Sequence, residues 1–340
     1  MRIAAASLVL LTLMLSACSH TPPVAPPPAK PAWVDGSSPR YPERLYLTAV
    51  GLGQNRRGAE DAARADLAKA LRVKVTATTF DQMRSELSAG GSEEFSQRIE
   101  SLSTTATDQT LEGVSIAENY EDPQRGLFYA LAILDRDRAA NLLRDRINAL
   151  DAEIVPLMER QQAPPSFTTL RDAVRAADAI QRRQVLNAEL IILGSTGSGI
   201  PSRYSIADAQ KAIDTILAQV PIGLEVTGDD NGEIRTALIA GLTDARLTVL
   251  TDASKAPFVI RGNVTLEKID VASSPWQWYS STLLGELIDR EKGTFVGALS
   301  ISSREGAQDS ARGRRLTLRS LSERAAAAVK RELVKKAGSN

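Results

Sequence analysis

The side chains that most often carry catalysis are scarce in this 340-residue chain, which has one histidine, His20, and one cysteine, Cys18. Histidine is the commonest general base and the commonest metal ligand. Ser-His-Asp, Cys-His and histidine-based zinc sites are therefore not expected, and a lone cysteine excludes an internal disulfide. An enzyme would have to work with carboxylates, lysine or tyrosine alone. We expect no catalytic residue, no metal site and no cofactor.

Acidic residues do occur side by side, but their spacing does not suit acid–base chemistry. The neighbouring acids are Glu60 with Asp61, Glu93 with Glu94, and Asp229 with Asp230. Adjacent residues on a helix point apart, so such pairs do not form a dyad. The run from Asp229 to Gly232 is similar to the start of a calcium loop but lacks the later ligands. We interpret it as a turn followed by a helix cap.

Two glycine-rich segments resemble phosphate-binding loops incompletely. Residues 194–199 match the first half of a P-loop, but Ile200 and Pro201 stand where a lysine and a hydroxyl would be needed. We interpret this segment as a flexible joint. Gly51 and Gly53 end a predicted strand, but the third glycine of a dinucleotide fingerprint would fall at Arg56, and at Gly58 only under looser spacing. We interpret the two glycines as a tight strand-to-helix turn.

The most unusual cluster is aromatic, in a chain with only 4% aromatic residues. On a strand, Trp276 and Trp278 would share one face and Tyr279 would take the other. One of the two faces belongs to the core. If the tryptophan face is exposed, Trp276 and Trp278 form a surface for a partner or a ligand such as a glycan. Trp33 is expected to close the base of the first domain.

The N-terminus predicts export and lipid attachment. Residues 1–17 contain Arg2 and an apolar run to Leu15, as in a signal peptide. As a helix this run would reach only ~20 Å, short of the ~30 Å of a bilayer core. Leu-Ser-Ala17-Cys18 resembles the lipobox of bacterial lipoproteins, which implies cleavage between Ala17 and Cys18 and acylation of Cys18. The alternative is an ordinary cleaved signal with a chance cysteine.

A proline-rich linker occupies residues 18–32. Six prolines favour polyproline II, so the residues after the cysteine would span up to ~43 Å as a semi-rigid stalk. Without the signal, the chain has 40 basic and 41 acidic residues. This balance argues against nucleic acid as a partner. Ser19 is not the acid that marks inner-membrane retention in enteric lipoproteins, which favours the outer membrane.

The hydrophobic pattern predicts an α+β fold, with two small α/β sandwich-like domains joined by a long α-helical hairpin. In the first domain, 33–135, we expect a strand over 46–53, a helix over 57–71, a strand over 72–79, a helix over 93–103, and strands over 111–120 and 126–134. In the second domain, 199–340, we expect helices over 205–219, 231–244 (capped by Asn231) and 316–336. Its strands are expected at 222–226, 247–251 and 258–269, with two more within 276–302.

The hairpin is predicted for residues 136–198. Its first helix carries an apolar seam, and its second helix, over 166–193, carries a matching one. The first seam comprises Leu143, Ile147, Leu150, Ile154 and Leu157, and the second comprises Leu170, Val174, Ala177 and Ile180. Pro156 should kink the first helix or end it early.

Short motifs in the first domain resemble those of the LPP-twenty lipoprotein family. They are Pro31-Ala-Trp-Val34, Tyr46 to Gly53, Ala59-Glu60 leading into Ala62 to Ala65, Tyr129 to Ala132, and Asp135-Arg136. The flagellar assembly protein FlgT carries a similar N-terminal domain. The resemblance covers about 31–150 and implies an outer-membrane lipoprotein with no known active site. The second domain is similar, in element order, to the N-terminal domain of TolB and to the middle domain of FlgT.

Together these features predict a non-catalytic outer-membrane lipoprotein that faces the periplasm. Acylated Cys18 would hold it to membrane lipid, and its domains would act as an assembly or scaffold factor for envelope proteins. Flagellar machinery and peptidoglycan are candidate partners, the latter through the basic run Arg312, Arg314, Arg315 and Arg319. The alternatives are a small-ligand or glycan binder near Trp276 and Trp278, and a histidine-independent carboxylate hydrolase.

Overall fold

The computed structural model describes residues 29–36, 38–86, 93–162, 165–229, 231–272 and 274–339. The predicted signal peptide, Cys18 and most of the linker lie outside the described residues. The elements of the first unit are β1 (Tyr46–Gly53), α1 (Arg56–Glu86), α2 (Glu93–Leu111), β2 (Ser115–Asp122) and β3 (Leu127–Asp135). The hairpin is α3 (Arg136–Glu159) and α4 (Phe167–Leu193). The second unit is α5 (Ile206–Gln219), β4 (Pro221–Thr227), α6 (Glu233–Asp244), β5 (Thr248–Val249), β6 (Phe258–Ile269), β7 (Gln277–Asp289), β8 (Thr294–Ala307) and α7 (Ser310–Gly338).

The first unit is a three-stranded antiparallel sheet, in the order β1-β3-β2, with α1 packed on it. The predicted strand over 72–79 is wrong, because α1 runs through it to Glu86. Val73 and Val75 suggested a period of two, but the buried stripe of α1 recurs every four residues. That stripe is Ala59, Ala63, Leu67, Leu71, Val75, Thr79 and Met83. Val73 is exposed, so burial of the helical stripe outweighs the preference of valine for strands.

Gly51 lets α1 lie directly on β1. A Cβ atom at this position would overlap the backbone of Ala59 and Ala63. A Cβ at Gly53 would likewise overlap the backbone at Ala59. The two glycines therefore serve the close approach of a helix to a strand, and this explains their spacing without a bound phosphate.

The remaining elements of the first unit follow the predictions with shifted bounds. α2 extends eight residues beyond the predicted end, so β2 begins at Ser115 instead of residue 111. The turn to β3 contains Gly126, with a φ of 64°. Trp33 is buried, and its indole N–H donates to the Glu118 carboxylate over 2.8 Å. Trp33 therefore closes the unit against β2.

The helical hairpin forms as predicted, but α4 does more than pair with α3. Asp135 caps α3 through the backbone N–H of Arg138, and Pro156 stands in the last turn before the helix ends at Glu159. α4 packs against α3, and also against α1, α2, α5 and α7. Leu170 and Val174, predicted to face α3, belong instead to the core of the second unit. Small alanines on several faces of α4 allow helices to approach it from several sides.

The second unit is a five-stranded mixed sheet in the order β5-β4-β6-β7-β8, with α5, α6 and α7 on one face. β4 pairs in parallel with β5 and β6, and the remaining pairs are antiparallel. Several predicted bounds change: β5 is only two residues long, β8 continues past the predicted limit of 302 to Ala307, α7 begins six residues earlier than expected, and α6 begins at Glu233. The Asp229 carboxylate, not Asn231, caps α6 by accepting from the backbone N–H groups of Ile234 and Arg235.

A buried guanidinium joins the hairpin to the second unit. Arg183 of α4 is 1% exposed, and its Nε and one terminal nitrogen donate to the Asp151 carboxylate of α3 over 2.6 and 3.0 Å. The same terminal nitrogen donates to the carbonyls of Ile200 and Pro201 over 3.2 and 3.0 Å. The backbone N–H of Ile200 donates to the Asn187 side chain. Ile200 and Pro201, predicted to follow a flexible joint, are therefore held against α4.

We expect Arg183→Met to lower the free energy of unfolding by about 3–5 kcal/mol, because it leaves a carboxylate and two carbonyls without their donor. Urea denaturation followed by circular dichroism measures the loss. The control is Arg182→Met, which removes a half-exposed guanidinium that pairs with Glu153 and Asp178. This control should cost less than about 1 kcal/mol. Equal losses in the two variants would contradict a special role for Arg183.

Candidate functional site

One face of the five-stranded sheet, here called the outer face, is turned away from the helices. Along β7, buried residues alternate with half-buried or exposed ones. Leu283 and Leu287 belong to the core, whereas Trp278 and Leu284 point to the outer face. Among the described elements, only the short 3₁₀ turn Ala253–Lys255 packs on this side, where it covers Gly223 of β4. Within the described residues no helix packs on the rest of the outer face, and its positions along β7 and β8 are mostly half-buried or exposed.

The predicted aromatic pair lies at one end of the outer face. Trp278 is half-buried, its ring lies against Gly306 of β8, and the Arg304 guanidinium lies 5.4 Å from the ring centroid. Its indole N–H donates to the Ser274 hydroxyl over 3.1 Å. Trp276 precedes β7 and is 47% exposed. Tyr279 is buried on the opposite face, so the tryptophan side of this cluster is the solvent side.

Two exposed apolar side chains lie further along the outer face. Leu284 is 58% exposed and Phe295 is 56% exposed. Phe295 pairs in register with the half-buried Ile288, beside an open cavity of about 500 Å³. The sequence analysis missed Leu284 and Phe295. Leu284 has the same parity along β7 as Trp278, so extending the predicted alternation would have placed it on the tryptophan face.

The carboxylate at the centre of this region is already paired. Glu225 of β4 accepts from the Arg261 guanidinium over 2.9 and 3.0 Å, and it also pairs with Arg290. The basic run, predicted to precede the last helix, lies within the first turns of α7. Two of its arginines are also paired, Arg314 with Glu233 and Arg319 with Glu323. Half of the arginines proposed to contact anionic lipid or peptidoglycan are therefore neutralised locally.

A second concave region lies between α2 and α3, above α4. It is a cavity of about 350 Å³, and its lining is mostly apolar. The cavity is lined by Leu102, Thr105, Ala106, Gln109, Arg146, Ala149, Leu150, Glu153, Arg182, Val185 and Leu186. Arg146 donates to the Gln109 side chain and bridges the two helices. A more polar cavity of about 530 Å³ lies beyond this bridge, toward Leu134 and Leu143.

Glu189 of α4 is a buried carboxyl below α2. It is 0% exposed, and neither of its oxygens forms a well-aligned hydrogen bond within the described residues. Burial raises the pKa of Glu189 to about 7, an effect that the Thr110 hydroxyl and the Arg146 charge oppose. The hydroxyls of Ser103 and Thr107, on the buried side of α2, also lack partners among these residues. In the sequence, Glu189 is visible as a single acid at the start of an apolar run that ends at Leu193.

The described residues contain no group of three or more histidine, cysteine or acidic side chains placed to hold a metal ion. Asp229, the first residue of the segment similar to a calcium loop, is occupied as a helix cap. Within the described part of the chain, no helix combines the length and apolarity that crossing a bilayer requires.

Residues 31–135 match the family model of the LPP20 lipoprotein. This is the family that the motifs of the first domain resemble, and the match covers about a third of the chain. The similarities to FlgT and TolB are not part of this match. No curated protein is significantly similar to the chain.

Several solved structures match the chain at low sequence identity. A secreted protein from Helicobacter pylori is 16% identical with a TM-score of 0.41, and the match covers 85% of this chain and 97% of that one. A minor lipoprotein from Acinetobacter baumannii is 15% identical with a TM-score of 0.26, covering 34% and 91%. A lipoprotein from Caulobacter crescentus is 13% identical with a TM-score of 0.28, covering 38% and 99%. None reaches a TM-score of 0.5, so none informs on function.

We expect Glu189→Gln to remove a pH-dependent loss of stability. The pKa of Glu189 is raised from 4.5 to about 7, so the folded state keeps a proton that the unfolded state releases. Wild type should therefore match the variant most closely below pH 4.5 and fall behind it as the pH rises to about 7. The full difference should be about 3 kcal/mol.

Urea denaturation of both proteins at a series of pH values measures this difference. Glu159→Gln, which removes an exposed acid of the hairpin, controls for the loss of one negative charge. A difference between wild type and Glu189→Gln that stays constant from pH 4.5 to pH 8 would contradict the buried, titrating carboxyl.

Proposed function

We propose that this protein is a lipid-anchored, non-catalytic envelope protein that binds other envelope proteins through the outer face of its five-stranded sheet. The observation that carries this proposal is the exposure of Leu284 and Phe295 on a sheet face over which no helix of the described residues packs. Large exposed apolar side chains become anchors of a protein interface when a partner covers them. The sheet holds these side chains on a rigid surface, which limits the entropy lost when a partner binds.

The anchor is proposed from the sequence and from the family match. Cys18 ends a lipobox pattern, and residues 31–135 match the LPP20 lipoprotein model. Acylation of Cys18, the absence of an acid at residue 19, and a stalk of up to ~43 Å would place both units in the periplasm near the outer membrane. The resemblance of the first domain to that of a flagellar assembly protein makes a trans-envelope machine a candidate partner.

A protein partner suits the outer face better than a glycan does. Sugar binding uses an open aromatic ring, but the Trp278 ring is already in contact with Gly306 and Arg304. Only Trp276 offers an open ring at that end. Leu284 and Phe295 are apolar side chains. Of the carboxylates on this face, Glu225 is paired with Arg261 and Arg290, and Glu286 lies beside Phe295 on the wall of the open cavity. This arrangement supports apolar contact with a protein surface and no acid–base chemistry.

We expect crosslinking pull-downs of the lipidated protein from whole envelopes to recover specific partners that the double variant Leu284→Ser, Phe295→Ser loses. A buried apolar anchor at an interface contributes about 2 kcal/mol or more, which is ~30-fold in affinity, so the loss of both anchors should weaken binding by roughly 1,000-fold. Cys18→Ala should release the protein from membrane fractions and reduce recovery of the same partners.

The matched control is Val73→Ser, which removes an apolar side chain of similar exposure from α1 in the first unit. It should leave partner recovery unchanged. Recovery of the same partners by the double variant at the wild-type level would place the binding surface elsewhere. A lack of any specific partner in wild type would contradict the scaffold function itself.

A further inference from the structure

The cavity between α2 and α3 has the shape of a small-ligand site, and it is independent of the outer face. Both helices pack on α4, but they scarcely contact each other, so a channel remains between them. The cavity has a volume of about 350 Å³, within the range of about 300–1,000 Å³ that is usual for ligand pockets. It is open on one side and closed at its base by α4.

The walls of this cavity are apolar on all three helices. Leu102 and Ala106 come from α2, Leu150 comes from α3, and Val185 and Leu186 come from α4. These residues border the hydrophobic core of the first unit. A ligand that covers them would remove apolar area from water at about 25 cal/mol per Å². The walls therefore favour a hydrocarbon chain.

The two arginines on the rim have different surroundings. Arg182 pairs with Glu153 and Asp178. Arg146 donates to the neutral Gln109 side chain, and no carboxylate of the described residues forms an ion pair with it. The buried Glu189 is close enough to interact with the Arg146 charge but makes no hydrogen bond to it. One end of this cavity thus carries a guanidinium that forms no salt bridge with a carboxylate of the described residues.

We propose that this cavity binds a single-chain amphiphile with a carboxylate head, such as a free fatty acid. The hydrocarbon chain lies against Leu102, Leu150 and Leu186, and the carboxylate accepts from the Arg146 guanidinium at the rim. Arginine binds carboxylates through two parallel N–H donors. The cavity beyond the Arg146–Gln109 bridge is a poorer site for such a ligand, because Glu112 and Asp135 lie on its wall, whereas Glu153, the acid on the wall of the first cavity, is paired with Arg182.

Isothermal titration calorimetry tests the proposal with dodecanoate and dodecanol, below their aggregation limits. The protein is the whole mature chain with Cys18→Ala, so that no detergent or attached lipid competes. We expect dodecanoate to bind one site, and Arg146→Met to weaken it roughly 10-fold to 100-fold, as a charge-assisted hydrogen bond does. Arg144→Met, on the same helix and bonded only to Asn141, should leave binding unchanged.

Dodecanol should bind more weakly than dodecanoate to wild type, and equally to wild type and Arg146→Met. Ala106→Phe, which fills the cavity, should abolish binding of both probes, and thermal unfolding checks that this variant folds. No saturable dodecanoate binding, or dodecanoate binding unchanged in Arg146→Met, would overturn the proposal. Because Arg146 lies on the rim, that second outcome decides the question even if Ala106→Phe fails to fold.

Discussion

The position of the two sheets relative to each other depends on the hydrogen bonds of the buried Arg183 guanidinium. A charge of this kind is costly to bury, and it is tolerated only when its donors are matched. Here the Asp151 carboxylate and the carbonyls of Ile200 and Pro201 supply the acceptors. These acceptors lie on α3 and on the segment that leads into α5. Since α4 also packs against α1, α2 and α7, fixing α4 fixes the first unit relative to the second.

Most elements could be predicted because their patterns had one interpretation. The strand over 258–269 was predicted with its observed bounds, since its flanking turns and length admit nothing else. Residues 72–79 were ambiguous: Val73 and Val75, two positions apart, fit a strand, whereas Val75 and Thr79 continue a helical stripe. Only the α2 and α4 surfaces that bury the stripe decide between them. The faces of α4 were unpredictable for a related reason, because a helix surrounded by neighbours has no single apolar stripe.

The candidate sites also differ in how far the sequence predicts them. Trp276 and Trp278 stand out because the chain has few aromatic residues. Their alternation with Tyr279 predicts which residues share a face of the strand, but it does not predict which face is exposed to solvent. That choice depends on the position of α7, which covers the Tyr279 side. The cavity between α2 and α3 has no local signature at all, because its lining comes from residues near 102–109, 146–153 and 182–186. Glu189 was visible in the sequence as an acid in an apolar run, but its partners were not.

The buried side of α2 places polar side chains in a helix interface that does not provide them with hydrogen-bond partners. Ser103, Thr107 and Glu189 bring polar atoms without well-aligned partners into a helix interface, and each such atom costs stability. Proteins retain unsatisfied buried polar groups mainly at functional positions, where a less stable element can move or admit a ligand. α2 also leaves a channel beside it over α4. A weakly held α2 over an apolar channel is the arrangement that lets an amphiphile enter without unfolding the core that Arg183 organises.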